Sequence, residues 1–274
     1  MYDDVLIATD GSDVATDAAT AGISLARTLE ATVHALSVAE DRRGDETKRH
    51  ERREADAESV ASRALEAGCS ADAVVRSGRP ATEILAYADE ADVDAIVVGT
   101  HGRTGLRQAL LGSVALEVIR EARRPVLTVG VDGSWDDDRI DDVCLATDGS
   151  TGTTAATENA IDLADACDAQ LHALYAVDMD SPSAELREAF VKHGEQTTAG
   201  VAERAADRGI ETTKAVMRGP STDVILEYVA DEAVDLLVMG TESKSNLERL
   251  VVGSVSQRVV PNAAVPVLTV RTLE

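Results

Sequence analysis

Lysine is nearly missing from this chain: of 26 basic residues only Lys48, Lys192, Lys214 and Lys244 are lysines. Against 50 acidic residues this leaves a net charge of -24 over 274 residues. Nucleic acids and anionic membranes need a basic footprint on their partners, so neither is expected to bind, and only locally basic pockets remain open to anions. Long apolar runs are also lacking, since no segment approaches the roughly 20 residues that span a bilayer. The first residues, MYDDVLIATD, show neither a basic region leading into an apolar run nor a cleavage signal, so a cytoplasmic location is expected. Cysteine is scarce: Cys69, Cys144 and Cys167 are odd in number and lack metal-ligand spacing. They read as reduced, mostly buried thiols. What is present is acid and small apolar side chains. Such a surface suits a protein that works in concentrated salt, because molar salt shortens the Debye length to about 3 Å and screens self-repulsion.

Short apolar runs alternate with segments of helical periodicity. Asp4 to Thr9 reads as a buried strand ending at Asp10-Gly11-Ser12, where Ser12 or Asp13 can cap a helix carrying Ala15, Ala19, Ile23, Ala26 and Leu29 on one face. Further strands are expected over Thr32 to Val38, Ala73 to Arg76, Asp94 to Gly99 and Val126 to Val129. Between the second and third, Arg42 to Ala67 is charged on most faces, with a stripe of Ala57, Val60, Ala61, Ala64 and Leu65; its first half reads as a mobile loop. Strands joined by helices on short connections require crossovers, so the fold class is α/β, a parallel sheet with helices on both faces.

The order then restarts. Val143 to Ser150 (VCLATDGS) repeats Val5 to Ser12 (VLIATDGS), Leu171-His172-Ala173-Leu174 repeats Val33-His34-Ala35-Leu36, and Tyr228 answers Tyr87. Pro266-Val267-Leu268-Thr269-Val270 repeats Pro125-Val126-Leu127-Thr128-Val129. A repeat of this length means two tandem domains, expected over residues 1–131 and 142–274, with the acidic turn-rich stretch 132–141 as linker. His34 and His172 sit at paired strand positions and read as core residues rather than ligands.

In IVVGTHGRTGLRQALLGSV, from Ile96 to Val114, a buried strand runs into glycines and then a helix. Bare backbone N–H groups beside a helix N-terminus hold phosphates. The glycine spacing alone is a weak signal. Its context strengthens it, because a partly kept copy, Leu236 to Val255, stands at the matching place in the second half.

Glycine, two residues, glycine, nine residues, glycine and a serine resembles the nucleotide-binding pattern of universal stress proteins, which Gly99, Gly102, Gly112 and Ser113 match in full. The aspartate turns at Asp10 and Asp148 and the strand starts at Pro125 and Pro266 extend the resemblance over almost the whole chain. It implies two Rossmann-like domains of the adenine nucleotide alpha hydrolase-like type, each a five-stranded parallel sheet of order 3-2-1-4-5, with the crevice at the carboxyl ends of strands 1 and 4. By that resemblance Gly99, Gly102, Gly112 and Ser113 hold the phosphates of ATP, or of AMP or ADP, and Thr100, His101, Arg103 and Val114 belong to the same nucleotide site. Asp10 faces the ribose or a magnesium ion, and Ala8, Thr9 and Val38 line the adenine. Asp10 also reads as a turn and cap residue, and Arg107 adds charge near the loop or is a solvated helix residue.

The second half departs from the pattern. Ser243 replaces Gly102 and Glu242 replaces His101, with Lys244 beside them. A side chain blocks backbone approach to a phosphate, and a carboxylate about 5 Å from a phosphate charge repels it by roughly 3 kcal/mol at an effective dielectric near 20. One competent site, in the first half, is expected. The function implied is a nucleotide-binding stress-response module acting on an unknown protein partner. The alternative is a nucleotide-free, dimer-like scaffold, with the two halves as an intramolecular pseudo-dimer or the chain as a homodimer. No base, arginine finger or magnesium-binding acid pair marks dedicated catalysis, although the resemblance permits slow ATP hydrolysis or self-phosphorylation.

Overall fold

A computed structural model describes residues 2–40, 46–101, 111–130, 139–177, 183–241 and 252–273. The chain divides into two compact units, Met1–Asp136 and Asp137–Glu274. In the first, β1 (Asp4–Thr9), α1 (Asp13–Thr28), β2 (Thr32–Ala39), α2 (Glu46–Glu66) and β3 (Ala71–Ser77) build one side of a sheet. Then α3 (Pro80–Glu90), β4 (Ala95–Gly99), α4 (Ser113–Glu121) and β5 (Val126–Val129) build the other. The strands run parallel in the order β3-β2-β1-β4-β5. Right-handed crossovers put α1 and α2 on one face, where the chain steps from β1 out to β3, and α3 and α4 on the opposite face, where it steps back.

The second unit repeats this with β6 (Asp142–Ala146), α5 (Thr154–Cys167), β7 (Gln170–Val177), α6 (Ala184–Ala206) and β8 (Thr212–Arg218). It closes with α7 (Ser221–Asp231), β9 (Leu236–Gly240), α8 (Ser254–Val259) and β10 (Val267–Val270). The order is β8-β7-β6-β9-β10, again parallel. In both sheets the middle strands are covered on two faces: Val5, Leu6 and Ile7, like Val143, Cys144 and Leu145, are fully buried. That is why they read as unbroken apolar runs rather than alternating ones.

Three expectations are corrected. The charged segment after β2 is helical from Glu46, not a loop through its first half. Its Glu, Arg and Lys residues favour helix and pair along its face, as Arg53 and Asp56 do at 2.9 Å. Leu65 leaves the buried stripe and is 58% exposed, because one step past Ala64 turns a side chain about 100° around the helix. The third strand also starts two residues before Ala73, at the sheet edge, where burial is partial and the apolar pattern faint. The presumed linker falls mostly on residues 131–138, outside the described residues.

Cys69 and Cys144 are buried, Cys167 is partly exposed, and all three are free thiols. His34 and His172 lie within their sheets, each ring bonded at both nitrogens. His172 is 4% exposed, as a core residue should be.

Candidate functional site

In the first unit β1 and β4 lie side by side at the point where the strand order reverses, and the crevice of such a sheet opens at their carboxyl ends. β1 leaves the sheet through a tight turn. Thr9 Oγ1 accepts the Gly11 N–H at 3.1 Å, Asp10 Oδ1 accepts the Ser12 N–H at 3.0 Å, and Ser12 Oγ accepts the Ala15 N–H at 3.2 Å, capping α1. Asp10 is thus a turn residue on one carboxylate oxygen, while the cap of α1 is Ser12. Ala8 and Val38 stand near the same strand ends, with Val38 8% exposed.

The other wall is the β4 exit. A Cβ on Gly99 would lie 3.0 Å from Val14 Cγ1 and 3.1 Å from the Val14 carbonyl oxygen, so this glycine lets the start of α1 approach the strand. Thr100 is fully buried, and its Oγ1 lies 3.0 Å from His101 Nδ1. His101 Nε2 is buried and has no partner among the described residues. The Gly112 N–H donates to the Thr100 carbonyl at 2.7 Å and ties the two ends of the loop together. That amide is therefore committed within the protein. The donors α4 can offer an anion begin with Ser113 and Val114, whose N–H groups have no intrahelical partner and no side-chain cap. Gly102, Arg103 and Arg107 lie outside the described residues, as do Glu242, Ser243 and Lys244.

In the second unit the matching place is an open crevice of about 120 Å³. Its walls include Ala146, Thr147, Asp148, Gly240, Gly253 and Ser254, the counterparts of Ala8, Thr9, Asp10, Gly99, Gly112 and Ser113. Ala176, at the place of Val38, lines it too, while Ile225 and Met239 supply apolar floor. The Gly253 N–H again donates to a threonine carbonyl, that of Thr241, at 2.7 Å. A Cβ on Gly240 would fall 2.8 Å from the Gly152 carbonyl oxygen, so close backbone packing alone accounts for that glycine.

The family follows from what is matched along this frame. The sequence model of the universal stress protein family matches residues 1–130 and again 139–271. The chain belongs to the universal stress protein family. A universal stress protein of Methanocaldococcus jannaschii is 33% identical over 138 residues, which are 47% of this chain and 81% of that protein. Universal stress protein YxiE of Bacillus subtilis is 33% identical over 147 residues, 47% of this chain and 99% of its own length. Each of these spans about one unit. A universal stress protein from Archaeoglobus fulgidus superposes over 98% of both chains with a TM-score of 0.73 at 20% identity, which shows that the tandem fold is shared.

Sequence reading missed one neighbour of the first crevice in this universal stress protein. Arg53 Nη1, on α2, donates to the Asp10 carbonyl at 2.6 Å and to Asp56 Oδ2 at 2.9 Å, and its side chain is 18% exposed. Nothing in a helix with several arginines distinguishes it except an acid three residues on. In the second unit, Tyr175 is 7% exposed and packs edge-on against His193 at 5.8 Å. Burial, then the nearby Asp148 carboxylate, pushes its hydroxyl pKa up.

Proposed function

We propose that this universal stress protein is an adenine-nucleotide-binding regulatory module with one competent site, in its first unit, whose occupancy alters a contact with a protein partner. The observation that carries this reading is the start of α4. A nine-residue helix without a side-chain cap opens at the carboxyl end of β4, beside the Asp10 turn and at the sheet's switch point. Its free N–H groups and dipole favour a phosphate there. The strand ends at Ala8 and Val38 supply apolar surface for a base, and Asp10 supplies a carboxylate for ribose hydroxyls. In the sequence Arg103 and Arg107 add positive charge to this stretch, and His101 Nε2 is buried with no partner among the described residues.

Among the described residues no three His, Cys, Asp or Glu side chains gather as a metal set. A magnesium ion arriving with the nucleotide would find Asp10 as its protein ligand and take the remaining positions from phosphate oxygens and water, as that ion commonly does. Among the described residues no helix is long and apolar enough to cross a membrane.

A nucleotide-free scaffold is the second reading, favoured by one observation: Gly99 and Gly240 are both explained by close packing against the chain that follows their unit's first strand, at Val14 and at Gly152. Calorimetric titration of the full chain with ATP separates the two. One site per chain, abolished by Gly102→Val and little changed by Ser243→Val, supports the nucleotide reading; absence of heat and of bound nucleotide in the purified protein supports the scaffold.

A further inference from the structure

The turns at Asp10 and Asp148 share one sequence, aspartate-glycine-serine, and the same two closing bonds, from the glycine N–H to the threonine Oγ1 and from the serine N–H to the aspartate Oδ1, yet the chain that leaves them is held differently. In the first unit Ser12 Oγ accepts the Ala15 N–H at 3.2 Å, and α1 begins at Asp13. In the second, a 3-10 turn over Thr151–Thr153 intervenes before α5, and Ser150 Oγ is buried without a partner among the described residues. Past the shared serine the sequences part, Asp13-Val14 against Thr151-Gly152, and Thr153 Oγ1 donates to the Ser150 carbonyl at 3.0 Å. What stands behind the turn differs as well.

Buried Ala57, Val60 and Ala64 of α2 correspond at constant offset to Thr198, Val201 and Ala205 of α6, which puts Gly194 at the place of Arg53. Likewise His34 and His172 put Tyr175 at the place of Ser37. In the first unit Ser37 Oγ donates to the Thr9 carbonyl at 2.8 Å and Arg53 donates to the next carbonyl, that of Asp10. Two consecutive carbonyls at the end of β1 are thereby pinned from the α2 face. In the second unit the ring of Tyr175 fills that space, and a Cβ on Gly194 would fall 2.7 Å from its Cδ1. A small residue paired with a cation has been exchanged for a large residue paired with none. The arginine cannot stand where the tyrosine is.

We propose that Arg53 is the positioning residue of the first crevice: it tethers α2 to the Asp10 carbonyl and fixes the turn from which the Asp10 carboxylate meets a ligand, and the Tyr175–Gly194 exchange leaves the corresponding turn at Asp148 without that tether. Arg53 acts from the α2 face, whereas the crevice walls come from strand ends and from the α3 and α4 side, so the arginine acts through the turn and not by touching the ligand. The tether makes the two crevices unequal independently of the glycine loops. This inference rests on the nucleotide reading of the first crevice for its ligand, but not for its geometry.

The test uses the full chain and two measurements on the parent, Arg53→Met and Arg53→Lys. Hydrogen exchange followed by mass spectrometry reads the segment from Ala8 to Ala15 and its counterpart from Ala146 to Thr153; calorimetry reads the affinity for ATP. A hydrogen bond to a charged donor corresponds to about tenfold to hundredfold in an equilibrium constant. Arg53→Met is expected to speed exchange in the first segment by about tenfold or more, to leave the second unchanged, and to weaken ATP by a similar factor. Arg53→Lys, which keeps a cationic donor, restores part of both. Unchanged exchange at the Asp10 turn in Arg53→Met overturns the tether, whether or not ATP binds. Faster exchange with unaltered ATP affinity overturns the positioning role. A parent chain that binds no ATP removes the nucleotide reading and with it the positioning of a ligand, while exchange alone still decides whether the tether exists.

Discussion

His172 Nε2 lies 2.8 Å from Asp142 Oδ1. The carboxylate can only accept, so Nε2 carries the hydrogen, and Nδ1 lies 2.9 Å from the Tyr228 hydroxyl. The first unit holds the same chain of groups, with His34 3.0 Å from Asp4 Oδ1 and 2.8 Å from the Tyr87 hydroxyl. In each unit it ties the first strand, the second strand and the third helix together at the amino end of the sheet, away from the crevice. The two units kept this network while their glycine loops diverged. It belongs to the fold and not to a ligand.

Removing either ring leaves a carboxylate and a phenol with a lost partner. His172→Phe is expected to lower stability by about 2–4 kcal/mol, since each orphaned buried group costs about 1–3 kcal/mol. His34→Phe is expected to cost less, because its side chain is 15% exposed against 5% for His172. Urea unfolding of both variants checks the order, and a larger loss at His34 would contradict the burial argument.

Gly240 and Gly99 supply a test of packing against ligand binding. An alanine Cβ at Gly240 would sit 2.8 Å from a backbone oxygen, a distance that forces the backbone to move. At Gly99 the nearest atom is a Val14 methyl at 3.0 Å, although the Val14 carbonyl oxygen follows at 3.1 Å. Gly240→Ala is expected to destabilise the protein by about 1–3 kcal/mol and Gly99→Ala by less. Both losses should appear in thermal unfolding without any nucleotide present.

The Cys167 thiol is pushed up to about 11 by burial, from an ordinary value near 9. Above that ordinary value the unfolded chain releases the proton while the folded chain still holds it, so the folded state binds more protons and stability falls as pH rises. The loss should run from about pH 9 to about pH 11, and Cys167→Ser should flatten that part of the curve measured by urea unfolding. A curve that is unchanged in the serine variant would assign the slope to other groups.

Much of this was legible in the sequence. β1 and β5 appear at the limits read from VLIAT and VLTV, because central parallel strands are apolar throughout and end at polar turn residues or prolines. Helix α2 was legible only in its second half, since charged residues carry helix propensity without an apolar period. Arg53 was invisible, because its partner is a backbone carbonyl 43 positions away and no side-chain pattern encodes such a contact. The dual role of the glycines was also hidden: spacing points to phosphate, and only coordinates reveal the carbonyls of Val14, Thr100 and Gly152 against which Gly99, Gly112 and Gly240 close.

The charge of -24 repels itself once screening is withdrawn. Ion pairs such as Arg76 with Glu90 offset little of this at the surface. The unfolding temperature is therefore expected to fall between molar and millimolar potassium chloride, where the Debye length grows beyond about 30 Å. An unfolding temperature that holds at low salt would remove the salt-adapted reading.

The second crevice should be recoverable as a nucleotide site, because its walls are already formed: Asp148, Ala176 and Ser254 surround open space. Ser243→Gly restores backbone approach, and Glu242→His removes a repulsion of roughly 3 kcal/mol, worth about a hundredfold in affinity. The double variant is expected to raise the ATP stoichiometry from one toward two per chain. Its second site should remain the weaker, since α8 spans 6 residues where α4 spans 9 and the Asp148 turn lacks the arginine that holds Asp10. Calorimetry of the double variant, and of the same variant carrying Gly102→Val to silence the first site, reads this directly. A stoichiometry that stays at one, in a variant unfolding at the parent's temperature, would show that the loop residues are not what keeps nucleotide from the second crevice and would shift the cause to the untethered turn.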